Sequence, residues 1–144
     1  MPTADIVTLA EAVKDRIQTG SYSQSVNVVR AWARRLELPE LAELQVTVSP
    51  GLVATESSAS VRSMSAHQYP MVVAIHRQIG DPNKPDEADA LALLTEQIAD
   101  RLLRWAPENF RWLSIEYPGM PNLSALQTNV WEAFITVTYQ GWRE

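Results

Sequence analysis

The segment YPMVVAIHRQIGDPNKPDEADALALLTEQI, residues 69–98, contains a β-like run, a short loop and a helical run in direct succession. In the first run Met71, Val73 and Ile75 alternate with other residues and share one side, as in a half-buried strand. In the second run, leucine and isoleucine recur every three or four residues, which predicts an amphipathic helix over about 86–105. Both elements have one apolar face to bury, so the segment predicts a helix packed on a sheet.

The loop between these two elements has the layout of a phosphate-binding site, which also joins a strand to a helix. A phosphate cradle needs several glycines and usually a Lys, Ser or Thr to hold the charge. The loop IGDPNKPDEAD instead has one glycine and two prolines, followed by Asp86, Glu87 and Asp89 at the helix start. These carboxylates occupy the positive end of the helix dipole and would repel an anion. The sequence therefore predicts a connector and no nucleotide site.

The N-terminal part of the chain supplies one more helix and two strands. Apolar residues follow the helical spacing over 5–18, and Gly20 comes just after them. Residues 25–35 are rich in β-forming residues but lack a clear inside face, which fits a strand that its own domain covers only in part. A short helical turn is expected over 39–43, and the alternation in 44–50 predicts a half-buried strand.

The stretch LVATESSASVRSMSAH, which begins at Leu52, contains five serines and few bulky side chains. Residues 52–66 are therefore either a flexible surface loop or an extended arm or hairpin that orders against a partner. Because Pro70 lacks an N–H group, it is expected to begin the next strand or to lie on a sheet edge.

Two further strands are predicted near the C-terminus, over 111–119 and 129–142. In the second, large apolar residues alternate with Glu, Thr and Gln, and only Phe134 breaks this alternation. The predicted fold is a single α+β domain spanning 1–144, with two main helices on one face of a mainly antiparallel sheet.

Composition limits the possible functions of this chain. A net charge of −5 argues against a broad basic face for nucleic acid. The absence of cysteine excludes disulfides and thiolate chemistry. No apolar run reaches the ~18 residues of a spanning helix, and the acidic start does not resemble a signal peptide, so we expect a cytosolic site of synthesis.

The sequence has no arrangement of residues that commits it to a reaction. His76 faces away from Val73 and Ile75, so an exposed or interface position is expected for it. With His67 as the second histidine, there is no paired-ligand spacing for a metal. The serines near His67 lack a GxSxG elbow. We therefore predict a protein that is not an enzyme and has no catalytic residues, metal ligands or cofactor.

Aromatic and basic residues suggest a subunit or partner interface instead. Of the five tryptophans, Trp105 and Trp131 fit the core, while Trp32 and Trp142 are less easily buried. Trp and Arg are over-represented at interfaces. The predicted interface residues are Arg30, Trp32, Arg34, Arg35, Arg62, Met64, His67 and Trp142. Internal packing of the tryptophans, and a solvated charged edge that protects the sheet, are the competing interpretations.

Four segments together resemble a known group of proteins, and they cover about residues 44–139. They are LQVTVSPG, VRSMSAHQYPMVVAIHRQI, DEADALALLTEQIADRLLRW and AFITVTYQ. In this order they resemble small proteins from the structural-gene region of long-tailed bacteriophages, and their architecture is similar to the tail-terminator family. The N-terminal third, with Trp32 and its arginines, matches no pattern of that family.

The resemblance implies a structural protein of the phage neck, located in the virion after assembly in the host cytoplasm. Tail terminators form a hexameric ring that caps the tail tube and presents its other face to the head-side connector. The implied partners are other copies of the chain, the tail tube protein and the head connector protein. DNA would pass through the lumen without specific binding, and an acidic protein suits such a channel. Residues 52–66, with Arg62 and Met64, would reach the neighbouring subunit.

Two alternatives remain open. Within structural proteins, the chain could be a head-closure or connector component or another minor tail protein. From a different class, it could be a small ligand-binding or enzymatic α+β domain.

Overall fold

The computed structural model describes residues 3–33, 36–37, 39–51, 54–56 and 65–143. The helices in this part are α1 (Asp5–Gln18), α2 (Pro85–Leu102) and α3 (Leu123–Leu126), and a 3-10 turn spans Glu40–Ala42. The strands are β1 (Val28–Arg30), β2 (Gln45–Pro50), β3 (Ala54–Glu56), β4 (Ser65–Gln78), β5 (Arg111–Glu116) and β6 (Val130–Arg143).

The strands form one sheet in the order β1-β2-β4-β6-β5, and β3 pairs with the first part of β4. The β1–β2 pair is parallel, while the other pairs are antiparallel. The prediction of an α+β fold is confirmed, and the parallel pair makes the sheet mixed. The 3-10 turn Glu40–Ala42 lies in the connection between β1 and β2.

The centre of the fold is the β4–β6 pair, which stays in register from Ser65 opposite Arg143 to Gln78 opposite Val130. Alternate residues of both strands point into one core. Four directly opposed pairs share this face: Tyr69 with Tyr139, Met71 with Val137, Val73 with Ile135, and Ile75 with Ala133. The predicted inward faces of these strands are confirmed.

Both main helices cover this same face of the sheet. The buried residues of α1 are Leu9, Ala10, Val13 and Ile17. Those of α2 are Leu91, Leu94, Thr95, Ile98, Ala99 and Leu102. Their apolar members belong to one cluster with the inward residues of β2, β4 and β6. The opposite side, called here the outer face, therefore packs against neither α1 nor α2.

Pro70 lies inside β4, so the prediction that it begins a strand or lies on a sheet edge is wrong. It pairs with Thr138 of β6, while its carbonyl accepts a hydrogen bond of 2.7 Å from the Gly51 N–H on the other side. In an antiparallel strand, the N and O of one residue point to the same neighbour. The nitrogen of Pro70, which has no hydrogen to donate, therefore faces the gap between the end of β2 and the start of β3. The β-ladder is interrupted there, so no strand hydrogen bond is lost.

Three predicted elements are longer than the observed ones, and one of them is the strand expected over 111–119, which ends at Glu116. The strand expected over 25–35 pairs only at Val28–Arg30, and positions 34 and 35 lie outside the described residues. The helix expected to reach residue 105 ends at Leu102, because Leu103 is extended and Arg104 has a φ of 58°. Trp105 therefore lies beyond α2.

Candidate interaction surfaces

The junction between β4 and α2, predicted to be a connector, has its own side chains on its backbone donors. A depression of about 320 Å³ lies there, lined by Gly80, Asp81, Lys84, Asp86 and Glu87. The Gly80 N–H, which a phosphate would need, donates instead to Glu87 Oε2 at 3.0 Å. Asp81 Oδ1 accepts a bond of 2.9 Å from the Asn83 N–H. Three carboxylates in the lining repel an anion, and two of them already accept the backbone donors.

At the β1 edge of the sheet, Arg30 and Trp32 occupy different environments. Arg30 pairs with Val48, which places its side chain on the helix side, where its Nε donates to Glu11 Oε1 of α1. That hydrogen bond, aided by the charge of Lys14, lowers the pKa of Glu11 below its ordinary 4.5, although partial burial opposes the shift. Trp32 is 63% exposed. Of these two predicted interface residues, Trp32 is available to a partner and Arg30 already has one.

Four other predicted interface residues, Arg34, Arg35, Arg62 and Met64, lie outside the described residues. The nearest described part of the 52–66 segment is β3, whose Ala54 and Glu56 pair with Gln68 and Ala66 of β4. This pairing lies within one chain. The role of the segment in reaching a neighbour stays a prediction.

His67 and Trp142 lie at the same end of the sheet, on opposite faces of it. His67 is half-buried on β4 and pairs with Thr55 of β3 and Gly141 of β6. Trp142 pairs with Ala66 and is 42% exposed. Since β2 and β4 separate β6 from β1, Trp142 and Trp32 belong to two separate surfaces.

A polar network joins the outer face to the loop that follows β5. His76 Nε2 lies 3.0 Å from Glu132 Oε2, and Glu132 Oε1 accepts a bond of 2.9 Å from Asn122 Nδ2. The Asn122 N–H also donates to the Glu132 carbonyl at 2.8 Å. Asn122 Oδ1 in turn caps α3 by accepting from the Ser124 and Ala125 N–H groups. The network holds the loop against β6.

This loop presents a surface that the sequence analysis did not identify as an interface. Its large apolar side chains are exposed, Met120 by 61%. We call four exposed apolar residues of this region the apolar shelf: Tyr117, Met120, Leu123 and Phe134. Tyr117 lines one depression with Phe134 and an adjoining narrow cleft with Met120, and Leu123 begins α3. Asn122 fixes the backbone beneath the shelf through its bonds to Glu132 and α3. Large exposed apolar groups on a restrained loop are typical of an interaction site.

One signal in the sequence pointed to the shelf. Phe134 breaks the polar alternation on one side of β6, and its outward position is confirmed by its exposure. Its ring makes an edge contact with His76, with the ring centres 6.1 Å apart. The first part of the loop, Tyr117 to Gly119, falls within the strand predicted over 111–119, whereas β5 ends at Glu116. The sequence analysis predicts no surface role for Tyr117 or Met120.

The described side chains include no group of three His, Asp or Glu residues that could hold a metal ion. In the same part of the chain, every helix falls short of the length and apolar character that a bilayer span requires. A comparison with protein-family models finds no match for the chain, and a comparison with curated protein sequences finds none either.

Proposed function

We propose that this chain is a structural protein of the neck of a long-tailed bacteriophage, a tail terminator whose copies form a ring on the end of the tail tube. The ring would stop tube growth and offer its other side to the head connector. No covalent bond is made or broken in this role. The function depends on adhesion between copies and to the tube end.

The observation that carries the proposal is the distribution of open surface around the sheet. Two helices cover one face, while within the described residues no strand pairs with the free edges of β1 and β5. Exposed apolar side chains lie near both of these edges, Trp32 at one and the apolar shelf at the other. A chain with exposed apolar residues at two different sheet edges is suited to ring formation, because ring closure joins one patch to a different patch on the neighbour. The resemblance of about residues 44–139 to the tail-terminator family is the reason for proposing this particular ring protein.

Charge supports the same role. The net charge is −5, and the exposed side of α2 carries acids along its whole length. The exposed acids of α2 are Asp86, Glu87, Asp89, Glu96 and Asp100. An acidic ring would repel DNA phosphates and let the genome slide through without adsorbing.

The test uses purified protein and tubes assembled from the tail tube protein of the same phage genome. We expect negative-stain images and native mass measurements to give a six-fold ring, and we expect addition of the protein to stop tube elongation and leave a cap on tube ends. A ring that binds the head connector but not the tube would favour the head-closure alternative. A compact monomer that ignores tube ends and carries a bound small molecule would favour the ligand-binding alternative and refute the proposal.

A further inference from the structure

Arg30, two residues before Trp32, and Glu116, next to Tyr117 of the apolar shelf, lie near opposite ends of one row of paired residues. Arg30 pairs with Val48, Val48 with Val73, and Val73 with Ile135. On the far side, β5 ends at Glu116, which pairs with Thr136, so the chain leaves the sheet beside this same row. Four inter-strand spacings of ~4.8 Å separate the two edges by about 19 Å. Copies placed edge to edge at one height thus bring the Trp32 edge of one against the shelf of the next.

The shelf side contains a shallow, open depression of about 370 Å³, lined by Glu116, Tyr117, Pro118, Phe134 and Thr136. Two of these residues contribute aromatic rings, Phe134 from the outer face and Tyr117 from the loop, and Pro118 adds a further apolar surface. The Asn122–Glu132–His76 network holds the loop to β6 in the single chain. A surface that is already ordered reduces the ordering cost of binding.

The rim of the depression is acidic. Glu116 lines the depression, and Glu96 lies close by, since it lines the adjoining narrow cleft with Tyr117 and Met120. Near Trp32, Arg30 is already paired with Glu11, but the sequence continues with arginines at positions 34 and 35, outside the described residues. Positive charge from these two arginines would complement the acidic rim and favour contact between unlike surfaces.

We propose that Trp32 of one copy fills the depression beside Phe134 of the next copy, so that each subunit gives its Trp32 edge to one neighbour and its shelf to the other. This inference rests on the proposed function, because it assigns the subunit contact of the ring. The contact is heterologous, and its repetition generates a closed ring when the rotation between copies is right. Trp32 acts as the aromatic anchor, the class of residue that dominates interface energetics.

The first measurement is the oligomeric state of Trp32→Ala over a concentration series, by light scattering and native mass measurement. We expect at least a tenfold weaker self-association, because loss of an anchor residue commonly has that effect or more. Leu103→Ala is the matched control, since Leu103 is also a large exposed apolar residue but lies at the end of α2, away from both edges. It should assemble like the wild type.

The second measurement uses the absence of cysteine in the chain. Ala33→Cys places a thiol beside Trp32 without removing it, and Thr136→Cys places one in the depression. A chain with both substitutions should give a ladder of cross-linked oligomers with a short bifunctional maleimide. A mixture of the two single variants should give linked dimers only, and each single variant alone should remain unlinked. Adding Trp32→Ala to the double variant should abolish the ladder.

The outcomes separate this inference from the proposed function. A wild-type ring that caps tubes but gives no ladder, or that tolerates Trp32→Ala, overturns the inference and leaves the tail-terminator role intact. Self-linking of a single variant indicates contact between like edges and also overturns it. If Trp32→Ala assembles normally but no longer binds tube ends, Trp32 belongs to the tube contact instead. A wild-type protein that stays monomeric, together with a double variant that stays unlinked, overturns the inference. The proposed function is then tested separately, by whether the wild-type protein caps tube ends.

Discussion

Gly51 lies against Pro70, at the point where β4 exchanges β2 for β3 as its neighbour. A Cβ atom at position 51 would approach Pro70 Cγ to 2.9 Å and the Pro70 carbonyl oxygen to 3.2 Å. The Gly51 N–H also donates to that carbonyl at 2.7 Å, so the backbone cannot retreat without losing the bond. We therefore expect Gly51→Ala to lower the free energy of unfolding by about 1–3 kcal/mol, as overpacking of a tight contact does.

The matched control for this substitution is Gly119→Ala. A Cβ at Gly119 would have no other atom within 4 Å, and its φ is not positive. Its free energy of unfolding should therefore stay within about 0.5 kcal/mol of the wild type. Both variants are compared by chemical denaturation. Equal stability of Gly51→Ala and Gly119→Ala would mean that the Gly51–Pro70 contact is not tight.

Single residues differ in how well the sequence predicted their surroundings. The exposure of Trp32 followed from the lack of an inside face in its strand, and the placement of His76 on the outer face followed from alternation. The exposed position expected for His76 is not observed, because its side chain is half-buried beside Glu132 and Phe134. The partners of these residues did not follow. Arg30 reaches Glu11 on α1, and His76 reaches Glu132, because the sheet order brings together positions that are 19 and 56 residues apart in sequence. No local pattern encodes such distant contacts.

Helix α2 allows the contributions of its buried and exposed faces to the free energy of unfolding to be compared. Leu93 and Leu94 are sequence neighbours, yet Leu94 is fully buried against the sheet and Leu93 is 47% exposed. We expect Leu94→Ala to lower the free energy of unfolding by about 2–5 kcal/mol, through lost transfer energy and the cavity left behind. The measurement is the midpoint and slope of chemical denaturation.

The control on the same helix is Leu93→Ala, which changes the same side chain in the same helical context. It should change stability by no more than about 0.5 kcal/mol, since its side chain remains half in water. A large loss for Leu93→Ala would show that α2 is covered on its outer side as well. Comparable losses for both variants would contradict the packing of α2 described above.

Elements with one apolar face could be predicted from the sequence. Features whose position or direction depends on contacts distant in sequence could not. α1, β2, β6 and the inward face of α2 follow from periods of 3.6 and 2. The parallel placement of β1 does not follow, because three residues of strand carry too little pattern to fix a direction. The early end of α2 depends on the positive φ of Arg104, which its residue type does not indicate. The apolar shelf depends on the Asn122–Glu132 bonds, which join the loop to β6 and have no signal in the local sequence pattern.

The whole molecule is acidic, and its interaction with DNA is expected to reflect this. A net charge of −5 provides no excess of cations to displace counterions from phosphates. We expect fluorescence anisotropy with labelled duplex DNA to show binding weaker than about 10⁻⁴ M from about 50 to about 200 mM salt.

A charge-reversed variant provides the positive control. Asp86→Lys, Asp89→Lys and Glu96→Lys together replace three exposed acids of α2 and bring the net charge close to neutral. This variant should gain salt-sensitive DNA binding, by about tenfold or more at the lowest salt. Tight, salt-sensitive binding by the wild type would instead reveal a basic surface that binds DNA. That result would contradict the proposal that the genome passes through the ring without adsorbing.

The β4–β6 pair also has a mechanical consequence for the proposed role in the phage neck. Its hydrogen bonds run perpendicular to the strands along the whole stretch from Ser65 to Gln78. A pull directed along the strands loads all of these bonds together in shear, whereas a pull across the strands peels them apart one after another. A subunit that carries tension between two large bodies is therefore strongest when these two strands lie parallel to the load, and weakest when the load opens the sheet at the edge of β5.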